Sequence, residues 1–261
     1  MSLESLKNKR VIIVGDSHTD LYPFGERLVA GLRDAGADVT VLAVGGTAAS
    51  SWLGKKQPLC RKAAMGKPAK CASLGDVRGK TFDLAIIALG TNDAANMNRA
   101  SQEGGGTRAA LMRRAASQID QIGSLLAPQY VWVGPPPVTG KLKWYTQDAM
   151  DALYAAASQG ALKGSIIDSR ELVPAGFKSD GVHLLGSSST GWADGVLGRL
   201  GTVAVTSAPE GFETSVPVIS DARPPVPEAL PLLVLGVVAA AALVVFLRRR
   251  GASGFSTPAA A

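Results

Sequence analysis

The sequence predicts an α/β fold: a three-layer α/β/α sandwich whose five-stranded parallel sheet lies between helical layers. Three observations carry that reading. Five short apolar runs recur between residues 11 and 168, continuous rather than alternating, as strands covered on both faces must be. Segments with apolar residues at helical spacing separate the runs. A turn rich in glycine, proline or asparagine follows the first four. Strands and helices in alternation build a parallel sheet with helices on both sides.

Val11-Ile12-Ile13-Val14 is the first strand, and it runs into Gly15-Asp16-Ser17-His18. Leu21, Phe24, Leu28 and Leu32 share one face of a helix over 21–35, which Gly36 stops. Residues 39–44 form the second strand, completing a βαβ unit, and lead into Gly45-Gly46-Thr47. Residues 82–89 form a third buried strand ending in Gly90-Thr91-Asn92-Asp93, with a loop carrying Gly104-Gly105-Gly106 beyond it. A helix over 108–126 places Leu111, Ala115, Ile119, Ile122 and Leu126 on one face. The fourth strand, 130–133, is stopped by Gly134-Pro135-Pro136-Pro137. A helix over 146–162, a fifth strand over 165–168 and a last helix over 189–200 close a domain spanning 1–205.

Beyond that the composition changes. Residues 206–228 carry Pro209, Pro217, Pro224, Pro225 and Pro227 and read as an extended, semi-rigid linker. An uncharged apolar run then begins at Leu230 and ends at Leu247, followed at once by Arg248-Arg249-Arg250. As a helix it would reach roughly 27 Å, the thickness of a bilayer's hydrocarbon core. Residues 229–250 are therefore expected to be a single-pass transmembrane helix that anchors the chain in a lipid bilayer, with 251–261 as a tail. The arginine cluster favours a cytoplasmic tail and a domain facing outside the cytoplasm, whereas tail anchoring would leave the domain inside and move the arginines across. The short apolar run after residues 1–10 lacks the longer core of a secretory signal.

The 261 residues carry a formal net charge of +6, yet the insertion 52–80 alone holds eight lysines and arginines against Asp76. The remainder is close to neutral, so no nucleic-acid partner is expected. The basic loop fits an anionic substrate, an anionic membrane surface or a partner, or else is a solvated loop. The only two cysteines, Cys60 and Cys71, lie in the same loop with no histidine beside them, so no metal site is expected. They form a disulfide in an oxidising compartment, or remain free thiols.

Ser17 stands where the crevice of an open α/β sheet holds its ligand, at the C-terminal end of a strand. Acyl transfer by a serine needs a base, a carboxylate to orient it and donors for the oxyanion. The chain has two histidines, His18 and His183. His18 is adjacent to Ser17, where the two side chains diverge, which gives it a surface or structural role. His183 has Asp180 three residues before it, close enough on a tight turn for the carboxylate to reach the imidazole. Gly46 and Asn92 also follow strands, so the sheet gathers them along the same edge.

These blocks, in this order, resemble the SGNH hydrolases, the GDSL-type esterase and lipase superfamily. Gly15-Asp16-Ser17 is similar to the first block, Gly45-Gly46 to the second, Gly90-Thr91-Asn92-Asp93 to the third and Asp180-Gly181-Val182-His183 to the last. The resemblance implies a flavodoxin-like SGNH fold over residues 10–200. It further implies a triad of Ser17, Asp180 and His183, and an oxyanion hole made by the amides of Ser17 and Gly46 and the side chain of Asn92. No metal or other cofactor is implied. The expected activity is hydrolysis of a small-molecule or glycan ester, foremost O-deacetylation of a carbohydrate or cell-envelope glycan. A lipase, lysophospholipase or thioesterase is the alternative within the class, and a catalytically silent membrane-anchored binding module the alternative outside it.

Overall fold

The computed structural model describes residues 3–216. The apolar run from Leu230 to Leu247, the arginine cluster and the greater part of the linker lie outside the described residues. Among the described residues, no helix is long and apolar enough to cross a membrane.

Five parallel strands form the sheet: β1 (Arg10–Gly15), β2 (Asp38–Ala43), β5 (Leu84–Ala88), β6 (Tyr130–Val133) and β7 (Ser165–Ile167), in the order β2-β1-β5-β6-β7. Two further strands, β3 (Leu59–Arg61) and β4 (Lys70–Ala72), make a separate antiparallel hairpin. Successive side chains of a strand point to opposite faces. Accordingly Val11 and Ile13 pack on one side with Phe24, Leu28 and Leu32 of α2 (Pro23–Asp34) and with Trp192 and Val196 of α7 (Ser187–Leu200). Ile12 and Val14 pack on the other with Met112, Ala115, Ile119 and Ile122 of α5 (Arg108–Leu126) and Leu153 of α6 (Gln147–Ala156). The order reverses direction between β1 and β5, which is where a doubly wound sheet opens a crevice beyond the carboxyl ends of its strands.

Three short or polar elements differ from the sequence expectation. A four-residue helix α1 (Ser17–Asp20) precedes α2, and Pro23 starts the second helix afresh at its first position. Residues after Gly90 form a helix, α4 (Thr91–Gln102), where a turn and loop were expected; its buried face is Ala94, Ala95 and Asn98, too small and polar to show as an apolar stripe. The basic insertion is not a bare loop: a short helix α3 (Ala49–Trp52) enters it and the β3–β4 hairpin follows, with Cys60 opposite Cys71 and joined to it by a disulfide.

The domain boundary also shifts. Residues 206–216 do not leave the domain as a linker but pass around the N-terminal edge of the sheet. The Ala208 amide donates to Asp83 Oδ1 at 2.8 Å, and Thr214 donates its amide to the Lys80 carbonyl and its hydroxyl to the Val77 carbonyl. Val205, just before the strap, packs on the α7 side, and Val216 at its end packs on the α5 side. A chain ending at residue 205 is expected to lose ~2 kcal/mol or more against one ending at 216, through the buried bonds and apolar contacts forfeited. Chemical denaturation of the two chains measures the difference; equal midpoints would show the strap to be passive.

Candidate active site

The first strand must stop sharply. A side chain on Gly15 would stand 2.2 Å from Thr19 Oγ1, so only glycine lets α1 fold back against the end of β1. Asp16 then caps α1, its Oδ1 accepting from the His18 amide at 3.0 Å. This places Ser17 at the first position of the helix, at the carboxyl edge of the sheet.

From the other end of the chain, residues 180–183 form a tight turn on the same edge. Asp180 Oδ1 accepts the amides of Val182 and His183 at 3.0 and 2.8 Å, and its Oδ2 lies 2.9 Å from His183 Nδ1. His183 Nε2 lies 2.9 Å from Ser17 Oγ. Burial alone would raise the Asp180 pKa, but the His183 and Val182 amides and the imidazole hold it well below the usual carboxylate range. The ionised carboxylate can only accept, so Nδ1 carries the proton and Nε2 is left to accept from the serine hydroxyl.

Tyr22, which no motif singled out, completes this arrangement. Its ring stacks on the His183 imidazole, centroids 4.1 Å apart and planes 12° from parallel, and its hydroxyl donates to Asp180 Oδ2 at 3.1 Å. Burial and the Asp180 charge push its pKa up to about 12, so it remains a donor. His18 makes no hydrogen bond to Ser17 through its ring, and its place is internal rather than on the surface. It is 3% exposed, edge-on to Trp192, with its ring centroid 4.9 Å from that of His183. Burial pushes its pKa down to about 3, so the ring is neutral, and neither nitrogen has a partner among the described residues.

Gly46 and Asn92 reach the same edge from β2 and β5. Gly46 has φ +80° and faces open space, with no atom of the chain within 4 Å of where a Cβ would stand. The amide of Gly45 is taken, donating to Asp20 Oδ2 at 3.0 Å. Asn92 is more constrained than expected. Its Nδ2 donates to Asp16 Oδ2 at 3.2 Å and to the Thr47 carbonyl at 3.0 Å, while its Oδ1 accepts from Tyr145 at 3.0 Å. Both its N–H groups thus have partners within the chain.

Behind Asn92 lies a second buried carboxylate. Asp93 Oδ1 accepts from the Ala49 amide at 2.8 Å, and its Oδ2 has no partner among the described residues. Burial raises both Asp16 and Asp93 to about 7. Among the described residues, no cluster of side chains could hold a metal ion. A cleft of about 690 Å³ lies elsewhere, lined by Leu84, Tyr130 and Ser165 at the opposite ends of the strands, and none of the residues above borders it.

No family model matches the chain, and no curated protein does. Among solved structures it is similar to LAE5, an alpha/beta hydrolase enzyme from the metagenome of Lake Arreo, Spain, at 11% identity and a TM-score of 0.50 over 79% of this chain and 100% of that one. It is likewise similar to Axe2, an acetylxylan esterase from Geobacillus stearothermophilus, at 14% identity and a TM-score of 0.50 over 78% and 99% of the two chains. A single-substitution variant of Axe2, described as an acetyl-xylooligosaccharide esterase, gives 14% identity and 0.51 over 77% and 98%. At these identities the likeness is one of fold.

The buried carboxylates make a prediction about pH. The native Asp93 holds its proton between its ordinary value near 3.8 and about 7, where the unfolded chain has already released it. Stability therefore falls as pH rises through that window. Asp16 acts in the same direction, and His18, protonated below about 6.5 only when unfolded, acts in the opposite one. Asp93→Asn keeps an acceptor for the Ala49 amide and removes one titration. The variant is expected to gain on the parent by about 1 kcal/mol per pH unit between pH 5 and 7, the gap levelling off above that. Urea denaturation across pH 5–8.5 measures this, and a constant gap would place Asp93 in the ordinary range.

Proposed function

We propose that the chain is a serine esterase of the SGNH type that hydrolyses carboxylic esters. The observation that carries the reading is the continuous line from Ser17 Oγ through the His183 imidazole to the Asp180 carboxylate, each link 2.9 Å, at the sheet's switch point. The solved structures that share the fold include esterases, which supports the same reading.

In the proposed reaction His183 Nε2 takes the Ser17 proton as Oγ attacks the ester carbonyl, and Asp180 balances the imidazolium that forms. The tetrahedral oxyanion is held by the amides of Ser17 and Gly46 and by Asn92, which shares one of its N–H groups now directed at Asp16 and Thr47. Collapse breaks the bond to the alcohol, which leaves with the proton from His183. Water then attacks the acyl-serine with His183 again as base, releasing the carboxylic acid and restoring Ser17. The acyl group is proposed to be acetyl on a carbohydrate or envelope glycan. Attachment to a bilayer through the run from Leu230 to Leu247, with the domain outside the cytoplasm, belongs to the same proposal.

Hydrolysis of a short-chain nitrophenyl ester and labelling by a fluorophosphonate probe test the reading. The parent is expected to be active and labelled, Ser17→Ala unlabelled and at background rate, and Asn92→Ala reduced on the order of 10²-fold in kcat. Equal rates for the parent and Ser17→Ala would refute it.

Tyr22 has its own signature. Tyr22→Phe keeps the stack on His183 but removes a donor from the carboxylate oxygen that faces the imidazole. A kcat lower by a few fold is expected, with KM little changed, since the lost bond orients the carboxylate that orients the imidazole. An unchanged kcat would reduce Tyr22 to a packing residue.

A further inference from the structure

We infer that Asp20 and Arg61 are a positioning pair that fixes the Gly45-Gly46 turn for oxyanion binding, and that the disulfide-closed hairpin serves to hold the arginine in place. The inference rests on the esterase reading proposed above.

The need for such a device follows from the turn itself. An oxyanion donor is effective only if it is already aimed before charge develops. Two consecutive glycines give the least constrained backbone available, and Gly46 is at φ +80° with open space where a side chain would stand. The C-terminal side of the turn is closed by Thr47, whose amide and hydroxyl both donate to the Val44 carbonyl and whose hydroxyl accepts from Trp52 Nε1. The peptide between Gly45 and Gly46, which carries the Gly46 N–H, is steadied from the other side by the bond from the Gly45 amide to Asp20 Oδ2. Asp20 sits at the end of α1, the helix that begins with Ser17, so one four-residue element refers nucleophile and turn to each other.

Asp20 can do this only if its charge is compensated, because its side chain is 2% exposed. A carboxylate so far from water needs a well-placed cation. Arg61 supplies one in two-pronged form, Nε donating to Oδ2 and Nη2 to Oδ1 at 3.1 Å. Against the burial that would raise it, Arg61, the Gly45 amide and Lys70 keep the Asp20 pKa below the usual range. Lys70 Nζ lies 3.6 Å from Oδ1, and Lys67 Nζ donates to the Asp20 carbonyl at 2.9 Å. All three cations come from the hairpin.

The guanidinium is fixed in turn by its own strand pair. Its Nη1 donates to the Lys62 and Pro68 carbonyls at 3.1 and 2.7 Å, so Nε, Nη1 and Nη2 each have partners within the chain. Its side chain is 9% exposed. Arg61 pairs with Lys70 in the rung next to the bridged Cys60 and Cys71. This describes a residue that organises its neighbours rather than one that awaits an anionic substrate.

The test compares the full-length parent with Arg61→Met, Arg61→Lys and Asp20→Asn. It reads kcat and KM for a nitrophenyl ester, the inhibition constant of a trifluoromethyl ketone whose tetrahedral adduct places an oxygen in the oxyanion position, and thermal unfolding. Arg61→Met is expected to lower kcat by about 10- to 100-fold with KM changed less than about 2-fold, since displacing the donor harms the transition state and leaves substrate binding alone. The ketone should weaken by the same factor as kcat/KM. Arg61→Lys should recover part of the loss, having the charge without the two-pronged fit. Reducing the disulfide should lower kcat in the parent and have no further effect in Arg61→Met. If Arg61→Met does not fold, Arg61→Lys and the reduced parent carry the comparison.

Unchanged kcat with lowered thermal stability would make the pair a mere staple and overturn the inference. A rise in KM alone would make Arg61 a substrate ligand and overturn it too. A parent whose activity survives Ser17→Ala would refute the esterase reading itself, and the pair's role with it. A serine-dependent parent indifferent to Arg61→Met refutes only the pair.

Discussion

The candidate site depends first on the Asp16 carboxylate, buried at the point where the sheet's order reverses. It caps the helix that starts with Ser17 through the His18 amide, and it accepts from the Asn92 side chain at the end of the neighbouring strand. Two chain crossings that leave the sheet in different directions are thereby tied at one oxygen pair. Burial raises the pKa of this group to about 7, with the nearby Asp93 charge adding to the rise and the His18 amide and Asn92 opposing it. The site thus carries a cost in stability, which fits the general pattern that functional geometry is kept at the expense of the fold around it.

The same solution recurs along the carboxyl edge. Loops that follow parallel strands leave backbone N–H groups with no ladder to join, and each buried donor needs an acceptor. Here aspartates serve: Asp16 for His18, Asp20 for Gly45, Asp93 for Ala49, and Asp180 for Val182 and His183. They differ in what compensates their charge. Asp20 has Arg61, and Asp180 has the His183 and Val182 amides together with the imidazole N–H; both are held below the ordinary carboxylate range. Asp16 and Asp93 face no cation and are raised. One residue type, placed four times at one edge, therefore gives two ionised groups and two that titrate near neutrality.

What the sequence revealed follows from which interactions leave a periodic trace. The five parallel strands and α5 were legible because burial on both faces, or on one stripe, imposes a pattern on neighbouring residues. Helix α4 was not, since its inner face is alanine and asparagine. Nor was the strap over 206–216, whose proline and serine content reads as linker while its hydrogen bonds run to Asp83, Lys80 and Val77. Within the site, Ser17, His183 and Asp180 were legible because histidine is scarce and the carboxylate sits three residues from it. The Tyr22–Asp180 and Asp20–Arg61 contacts join residues 158 and 41 positions apart and belong to no local motif.

The basic insertion shows why charge counted along a chain differs from charge presented to a partner. Of its eight cations, Arg61, Lys67 and Lys70 turn inward onto α1, and Lys67 also meets Glu26 at 2.9 Å. Lys55, Lys56 and Lys62 stay exposed. A hairpin of two three-residue strands would be marginal alone in water, and this one contributes few buried side chains of its own. Its rigidity has to come from the Cys60–Cys71 bridge and from the desolvated ion pair at its inner face. These two supports reinforce each other, because the bridge fixes the rung beside Arg61 while the buried aspartate penalises any movement that withdraws the guanidinium. The charge that suggested an external partner is thus in part an internal fastening, and Arg61, with its side chain 9% exposed and its guanidinium engaged within the chain, offers little to a ligand.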